Sequence, residues 1–246
     1  MRVRKAGRPL RRTLALSFVL AVSFALCACG GIGALEEEPT STPRPLAPTA
    51  TPDIAQIFHN FVFPIAGGCL PRSDELMPNA PRDYRSGVHE GVDFYEHDNC
   101  TEIEAGRPVL AVKDGVITRV DADYHELTQE EFEAANARIA AGDPNAFEVL
   151  DLFRGRQVWI DHGNGVVTRY AHLGSVAAGL REGSRVAQGQ TIGAVGDSGT
   201  PESLSNPGTE IHLHWELRVG ESYLGAGLPA DEVRALYEGL FQPSAP

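Results

Sequence analysis

The segment EIHLHWEL, residues 210–217, places two histidines two positions apart within an otherwise apolar run. Successive side chains of a β-strand point to opposite faces, so His212 and His214 would share one face of a strand. Two imidazoles on one face suit either a metal site or an acid–base pair. Because an H-x-H pair also occurs by chance on surface strands, it is weak evidence when taken alone.

A second candidate is GVHEGVDF, residues 87–94, which contains His89 and Asp93. Gly91 and the β-branched Val92 disfavour a helix, so the two polar residues are expected in a loop that enters a strand. A neutral histidine and a carboxylate are both good ligands for Zn²⁺, which accepts such mixed nitrogen and oxygen sets. If nothing else in the chain matched, an ordinary polar loop would explain the segment equally well.

The third candidate is His172 in TRYAHLGS, residues 168–175, where it follows a strand-like run. Alone, it is compatible with an exposed histidine at the end of a strand. The occurrence of all three segments in one chain favours a common site.

Strand-like segments surround these histidines, with Val, Ile or aromatic residues in short runs broken by glycine. They are residues 108–120, 157–173, 184–196 and 210–219. The Asn-Gly pair in HGNG, residues 162–165, is typical of a tight hairpin turn. These segments predict a mainly β fold built from antiparallel strands.

Residues 122–155 interrupt this pattern and are predicted to form a helical insertion between two strands. Thr128 and Glu131 have the spacing of a capping box, and Gly142 can end the first helix. Asp143, followed by proline, then has the composition of a second helix N-terminus.

A C-terminal helix is predicted over residues 230–241, because four apolar residues recur there with helical spacing. They are Val233, Leu236, Tyr237 and Leu240. We interpret this apolar stripe as a packing face and not as a binding site.

Together the motifs resemble those of the lysostaphin-like (LytM-type) zinc metallopeptidases, which cut peptide cross-links in bacterial cell walls. The resemblance runs from about Phe61 to Val219, is interrupted by the helical insertion, and keeps the motifs in the family's order. They are HEGVD (89–93), GRPVLAVKDGVI (106–117), WIDHGNGVVTRYAHL (159–173), GSRVAQGQTIGAVG (183–196) and HLHWEL (212–217). As a set, these motifs are highly specific.

The resemblance implies one Zn²⁺ bound by His89, Asp93 and His214, with His172 and His212 as catalytic histidines that do not bind the metal. Three protein ligands leave a fourth position open for water, as catalytic zinc sites do. The implied activity is that of a zinc metalloendopeptidase. Its implied substrate is peptidoglycan, in the cross-links or the stem peptides.

The resemblance also implies a fold, an antiparallel β-sheet groove of the duplicated hybrid motif type. Glu216, two positions beyond His214, would share its strand face and is a candidate to orient this ligand. The chain departs from the family pattern in the insertion and in a longer loop at residues 197–210. Either segment could narrow or gate the groove, so the bond that is cut is not carried over from the family.

The first 28 residues have the pattern of a lipoprotein signal peptide, in which basic residues precede an apolar run at 14–26. This run is too short for a comfortable membrane span of about 20 residues. The following LCAC, residues 26–29, resembles the bacterial lipobox, in which cleavage precedes a cysteine that is then lipidated, here Cys29. The alternative is a plain signal peptide that is cut nearby. Lipidation predicts an exported protein that is anchored to the membrane and faces the cell wall or periplasm.

Residues 29–53 are predicted to be a lipidated, disordered tether, because most of this segment is rich in Pro, Thr and Glu. The metallopeptidase domain would then span residues 54–246. Cleavage of the signal removes six of 21 basic residues, which leaves 15 against 33 acidic residues and a net charge of −18. A chain this acidic is not expected to bind nucleic acid through a general electrostatic field.

Cys69 and Cys100 are the cysteines that remain outside the signal and the lipobox. An even pair in an exported protein predicts a disulfide, with two free thiols or two zinc ligands as the alternatives. A disulfide would close a loop of roughly 30 residues and stabilise the fold by about 3 to 4 kcal/mol in the chain-entropy model.

Two readings compete with an enzyme. A non-catalytic domain of the same fold that binds the wall or activates a separate amidase would not need metal ligands, whereas this chain has all five histidine and aspartate positions. A zinc-carrying lipoprotein without hydrolytic activity accounts for three ligands but gives no role to His172 and His212.

Overall fold

A computed structural model describes residues 58–242, and the predicted signal peptide and tether at 1–53 lie outside this range. Twelve β-strands and four α-helices lie within the described residues. The strands are β1 Pro81–Arg82, β2 Gly87–Val88, β3 Val92–Phe94, β4 Pro108–Leu110, β5 Gly115–Val120, β6 Val158–Asp161, β7 Val166–Ala171, β8 Leu173–Val176, β9 Arg185–Val186, β10 Thr191–Val195, β11 Leu213–Val219 and β12 Ser222–Tyr223. The helices are α1 Gln129–Ala140, α2 Phe147–Arg154, α3 Pro201–Ser205 and α4 Ala230–Leu240.

The larger sheet follows the order β12-β11-β7-β6-β5-β9, and β3 pairs with β11 beside this path. Every pairing within it is antiparallel. The predicted hairpin joins β6 and β7, and Asn164 in its turn has a φ of 54°. Such a left-handed backbone is what a tight hairpin turn requires, and asparagine tolerates it. The prediction of a mainly β, antiparallel fold is confirmed.

A smaller antiparallel sheet has the order β4-β10-β8. Two of the predicted strand segments, 108–120 and 184–196, are each divided between the two sheets. Buried side chains from both sheets, such as Val109, Ile192 and Trp215, belong to one apolar core. The sheets therefore share a single core that holds the site-bearing strands in place.

The helical insertion contains α1 and α2 and lies between β5 and β6. The predicted capping box is confirmed, since the Thr128 hydroxyl accepts from the Glu131 backbone and the Glu131 carboxylate accepts from the Thr128 backbone. The predicted start of the second helix at Asp143 is wrong, because the residue that caps α2 is Ala146. The Asp143 carboxylate instead lies 2.6 Å from the guanidinium of Arg138 in α1, so it interacts with the first helix.

The predicted C-terminal helix is confirmed as α4. Val233, Tyr237 and Leu240 are buried, whereas Leu236 is 40% exposed and lies at the margin of the stripe. The rings of Tyr237 and Trp215 of β11 pack in a T-shaped arrangement, with 6.0 Å between the ring centroids. Helix α4 thus supports the strand that carries one of the candidate ligands.

Cys69 and Cys100 form a disulfide, so the predicted pairing is confirmed. It joins the segment before β1 to the segment after β3. Among the described residues, every helix lacks either the length or the apolar character needed to cross a membrane.

Candidate metal centre and active site

Strand β11 lies between β3 and β7 and brings the predicted site residues together. His214 of β11 is directly opposite Asp93 of β3 on one side and Ala171 of β7 on the other. His89 comes just before β3 and just after β2. The pairing register of the sheet therefore sets two candidate ligands side by side and brings the third within reach.

His89, Asp93 and His214 form a compact buried group, which we call the ligand cluster. His214 Nδ1 lies 2.7 Å from Asp93 Oδ1 and 3.1 Å from His89 Nε2. The distance between His89 Nε2 and Asp93 Oδ1 is also 3.1 Å. A tetrahedral zinc ion with bonds of about 2.0 to 2.1 Å separates its donor atoms by roughly 3.3 Å, close to this spacing. The ligand cluster could therefore hold a metal ion.

Both histidines of the ligand cluster are held at their outer ring nitrogen. His89 Nδ1 lies 3.1 Å from the Met77 carbonyl oxygen, to which it donates. His214 Nε2 donates to Glu216 Oε1 over 3.1 Å. These bonds direct His89 Nε2 and His214 Nδ1 towards the centre of the cluster, where a metal would bind. Glu216 thus contacts His214, the candidate ligand that it is predicted to orient.

The electrostatics of the ligand cluster favour an ionised carboxylate. Burial by itself would raise the pKa of Asp93, but the imidazoles of His89 and His214 outweigh it and hold the pKa well below its usual range. Burial would lower the pKa of His214, yet hydrogen bonds to Asp93 and Glu216 raise it to about 9. A protonated His214 donates to both carboxylates, and a bound cation would replace the proton on Nδ1.

His172 and His212, which we call the histidine pair, lie next to the ligand cluster with their ring centroids 4.4 Å apart. His172 Nδ1 donates to the Ser198 carbonyl over 2.8 Å, and His212 Nδ1 donates to the Glu210 carbonyl over 2.7 Å. Burial lowers the pKa of both rings, that of His172 well below its usual value. Each ring is therefore neutral near pH 7 and keeps Nε2 as a proton acceptor.

His172 also has an unusual backbone, with a φ of 57° at a residue that is not glycine. Its backbone N–H donates to the Arg154 carbonyl at the end of α2 over 2.9 Å. Left-handed conformations at non-glycine residues persist where the surrounding structure holds them, and they cluster at functional sites. The bend after β7 turns the His172 ring towards His214, 5.9 Å away between centroids.

Gly91, between the candidate ligands His89 and Asp93, packs directly against the ring of His214. A Cβ atom at this position would lie 2.6 Å from the Trp215 carbonyl oxygen and 2.9 Å from His214 Cε1. Both distances are shorter than van der Waals contact. The glycine of HEGVD is therefore required so that β11 and its histidine can approach this loop.

The ligand cluster and the histidine pair line a cavity of about 690 Å³. The insertion forms part of its wall through apolar side chains of α1 and α2, and the 197–210 loop borders it through Pro201 and Glu202. The apolar residues of the insertion wall are Phe132, Ile139, Leu150 and Phe153. Both segments that depart from the expected family pattern thus border the site, as they would if they narrow the groove.

Three residues that contact the site have no place in the sequence-based prediction. Tyr95 stacks on His212 with ring centroids 4.4 Å apart, and its position two residues after Asp93 could have indicated it. Arg82 Nη2 lies 3.4 Å from Asp93 Oδ2. Arg154, in the insertion, contacts Glu216, which in turn contacts His214 of the ligand cluster. No local sequence pattern indicates a contact between segments so far apart in the chain.

The profile of Peptidase family M23 matches residues 87–225, which is more than half of the 246-residue chain. Peptidoglycan DD-endopeptidase ShyC of Vibrio cholerae is 40% identical over 132 residues, which cover 54% of this chain and 20% of ShyC. Peptidoglycan DD-endopeptidase ShyA of the same organism is 39% identical over 67 residues, which cover 27% of this chain and 14% of ShyA. The match thus spans a fifth or less of the length of these relatives.

Solved structures with a similar chain path include a zinc containing peptidase from Vibrio cholerae, with a TM-score of 0.43 and 23% identity. That alignment covers 70% of this chain and 41% of the other. The catalytic domain of lysostaphin from Staphylococcus simulans aligns with a TM-score of 0.39 and 19% identity, over 73% of this chain and 97% of the other. The profile match includes every residue of the ligand cluster and the histidine pair. The chain therefore belongs to peptidase family M23.

Proposed function

We propose that this protein is a zinc-dependent metalloendopeptidase that hydrolyses peptide bonds in the cross-links or stem peptides of peptidoglycan. The observation that carries the proposal is the convergence of the ligand cluster and the histidine pair on one cavity. Membership of a peptidase family supports the reaction type. The names of ShyC and ShyA, both peptidoglycan DD-endopeptidases, support the substrate class.

The donor set of the ligand cluster supports zinc as the metal. Two imidazole nitrogens and one carboxylate oxygen form a set that zinc accepts, and three protein ligands leave a position for water or substrate. His89 and His214 would bind through Nε2 and Nδ1, and Asp93 through Oδ1. When bound, zinc polarises the scissile carbonyl and lowers the pKa of the attacking water.

The histidine pair would transfer the protons. Because both rings are neutral near pH 7, Nε2 of His172 or His212 can accept a proton from the attacking water. The imidazolium that forms can return this proton to the leaving amine or stabilise negative charge on the carbonyl oxygen. We assign these roles to the two residues jointly.

The cavity supports a peptide substrate. Its volume of about 690 Å³ falls in the range of roughly 300 to 1,000 Å³ that is usual for ligand sites. Apolar side chains such as Phe132 and Ile139 line it together with charged ones such as Arg82 and Glu202. This mixture suits a peptide that carries both alkyl and ionised groups.

We also propose that the enzyme is an exported lipoprotein, anchored to the membrane and facing the cell wall or periplasm. Residues 1–28 would be the signal peptide, Cys29 the lipidated residue, 29–53 the tether and 54–246 the metallopeptidase domain. Globomycin should block processing of the precursor, and a Cys29→Ala form should leave the membrane fraction. Unchanged processing or a membrane-bound variant would argue against lipidation.

The activity is tested by incubating the purified chain with peptidoglycan, with and without a zinc chelator, and analysing the released fragments by mass spectrometry. We expect new muropeptides that disappear with the chelator and with a His214→Ala variant. A His97→Ala variant is the matched control, since this side chain is 92% exposed and lies outside the cavity. Binding to the wall without any new fragment would instead favour the non-catalytic, wall-binding or amidase-activating alternative.

A further inference from the structure

Glu216 is fully buried, with no exposed surface, directly behind the ligand His214. Its closest partner is Arg154 at the end of α2, whose Nε donates to Glu216 Oε1 over 2.5 Å. Arg169 and Arg218 lie farther away, at 3.4 and 3.3 Å, and both approach the other oxygen, Oε2. The two carboxylate oxygens therefore have different partners.

The oxygen that Arg154 contacts is also the one that supports the metal site. Glu216 Oε1 accepts from both Arg154 Nε and His214 Nε2. Arg154 is itself only 7% exposed, and its Nη2 donates to Glu90 over 3.0 Å, which fixes the direction of the guanidinium. A planar guanidinium that is held at two points restricts where its carboxylate partner can lie.

We propose that Arg154 is a positioning residue for the metal site, which acts through Glu216 to orient His214. The helical insertion would then support the metal site in addition to bordering the cavity. This inference rests on the proposed zinc site.

Without the Arg154 side chain, Glu216 would keep Arg169 and Arg218 as partners at Oε2 and could turn towards them. Oε1 would then no longer be fixed beside His214 Nε2. The Arg154 backbone carbonyl, which accepts from the His172 N–H, remains in any substituted chain. Replacing the side chain should therefore disturb the ligand cluster more than the histidine pair.

The test compares Arg154→Met with Arg138→Met in the full chain. Arg138 also belongs to the insertion and pairs with two carboxylates, Asp143 and Glu148, but its side chain is 44% exposed and lies away from the site. Zinc affinity is measured by competition with a chromogenic chelator, and the midpoint of thermal unfolding is measured with and without zinc. Substituting a group that orients a metal ligand typically weakens metal affinity by roughly 10- to 100-fold.

For Arg154→Met we expect zinc binding to weaken by roughly 10- to 100-fold and the zinc-induced rise in the unfolding midpoint to shrink. For Arg138→Met we expect a zinc affinity within about twofold of that of the unsubstituted protein, and a similar zinc-induced rise in the unfolding midpoint. A merely structural role would lower the midpoints with and without zinc by equal amounts and leave the affinity unchanged, which would overturn the inference. If the unsubstituted protein failed to bind zinc, the proposed function itself would be wrong.

A double-substitution cycle tests the route through Glu216. In a Glu216→Gln background, Arg154→Met should weaken zinc binding by less than about threefold, because its route to His214 is already altered. A full loss in that background would exclude Glu216 as the intermediary.

If Arg154→Met does not fold, Arg154→Lys provides a second test, because lysine keeps the charge but lacks the planar guanidinium that contacts two carboxylates. This variant should still weaken zinc binding several-fold, and unchanged affinity would contradict the proposal.

Discussion

The ligand cluster and the histidine pair are neighbours, yet His214, at the centre of the cluster, is held by different partners from His172 and His212. In the ligand cluster, His214 lies between the carboxylates of Asp93 and Glu216, which raise its pKa to about 9. In the histidine pair, the ring contacts are to main-chain carbonyls, and burial lowers the pKa of His172 and His212.

This difference suits His214 and the histidine pair to two kinds of chemistry within one cavity. Carboxylates increase the electron-donating power of an imidazole and suit it to hold a cation. A neutral carbonyl fixes the tautomer and the orientation of a ring but leaves it uncharged, so it can accept a proton. The supporting contacts thus set His214 apart from the histidine pair. His89 resembles the pair, since its Nδ1 donates to the Met77 carbonyl and burial lowers its pKa, and it differs from the pair in lying 3.1 Å from Asp93 Oδ1.

The largest expected effect follows from removing a proposed ligand. His214→Ala should lower zinc content and peptidoglycan cleavage together, with kcat/KM reduced by about 10⁴-fold or more, because the metal supplies several kcal/mol of transition-state stabilisation. Metal analysis and muropeptide release measure the two quantities on one sample. A variant that kept stoichiometric zinc would show that His214 is not a ligand.

Removing one member of the histidine pair should separate the two quantities. His172→Ala is expected to retain zinc and to lose roughly 10²- to 10⁴-fold in kcat, the usual contribution of a general acid or base. His212→Ala should behave in the same manner. Cleavage at the original rate, or loss of zinc from the His172 variant, would remove the distinction between the pair and the ligand cluster.

A steric change can disturb the ligand cluster without removing any of its atoms. Gly91→Ala would place a Cβ against the Trp215 carbonyl and the His214 ring, and overpacking of this kind costs about 1 to 3 kcal/mol. We expect zinc binding to weaken by about tenfold. Gly239→Ala in α4 is the control, since a Cβ there meets no atom within 4 Å. Equal zinc affinity in both variants would show that the cluster tolerates the displacement.

Much of this arrangement follows from patterns that are local in the sequence. Alternating apolar residues and the Asn-Gly turn locate the strands, and the capping box locates α1, because each depends on residues a few positions apart. The motif order indicates the ligand cluster and the histidine pair. The start of α2 differs from the prediction: the Asp143 carboxylate pairs with Arg138 of the preceding helix, and a helix-capping pattern does not reveal such competition between partners.

Contacts between distant segments are what the sequence does not provide. Arg154 meets Glu216 across 62 positions, and the Ser198 carbonyl holds His172 across 26. Arginine in an amphipathic helix is usually solvated, so nothing near residue 154 indicates a buried ion pair. These contacts depend on how the insertion packs on the sheet, and they are visible only in three dimensions.

A smaller effect is expected from Tyr95, whose ring stacks on His212 at an interplanar angle of 11°. Such aromatic pairs contribute about 0.5 to 1.5 kcal/mol beyond their buried area. Tyr95→Leu should therefore lower kcat by roughly 3- to 10-fold while zinc affinity stays constant, whereas Tyr95→Phe should retain most of the activity. A loss of zinc would instead tie this ring to the ligand cluster.

The smallest effect concerns His162, which shares features of the histidine pair but lies outside the cavity. Its Nδ1 donates to the Asp114 carbonyl, and burial lowers its pKa despite the nearby carboxylates of Asp161 and Asp114, with Lys113 also present. Below about pH 6.5 this imidazole is protonated in the unfolded chain but still neutral in the folded chain. The free energy of unfolding therefore decreases as the pH drops, until the lowered pKa of the folded state is reached.

His162→Gln should therefore lower the free energy of unfolding by about 1 kcal/mol at pH 8, where a hydrogen bond is lost, and reduce the further loss between pH 8 and pH 5. Urea unfolding at both pH values measures these quantities. Cleavage at pH 8 should remain unchanged, because the half-buried His162 lies outside the cavity that the ligand cluster and the histidine pair line. A marked loss of activity in this variant would show that proximity to the ligand cluster is not what distinguishes the histidine pair from His162.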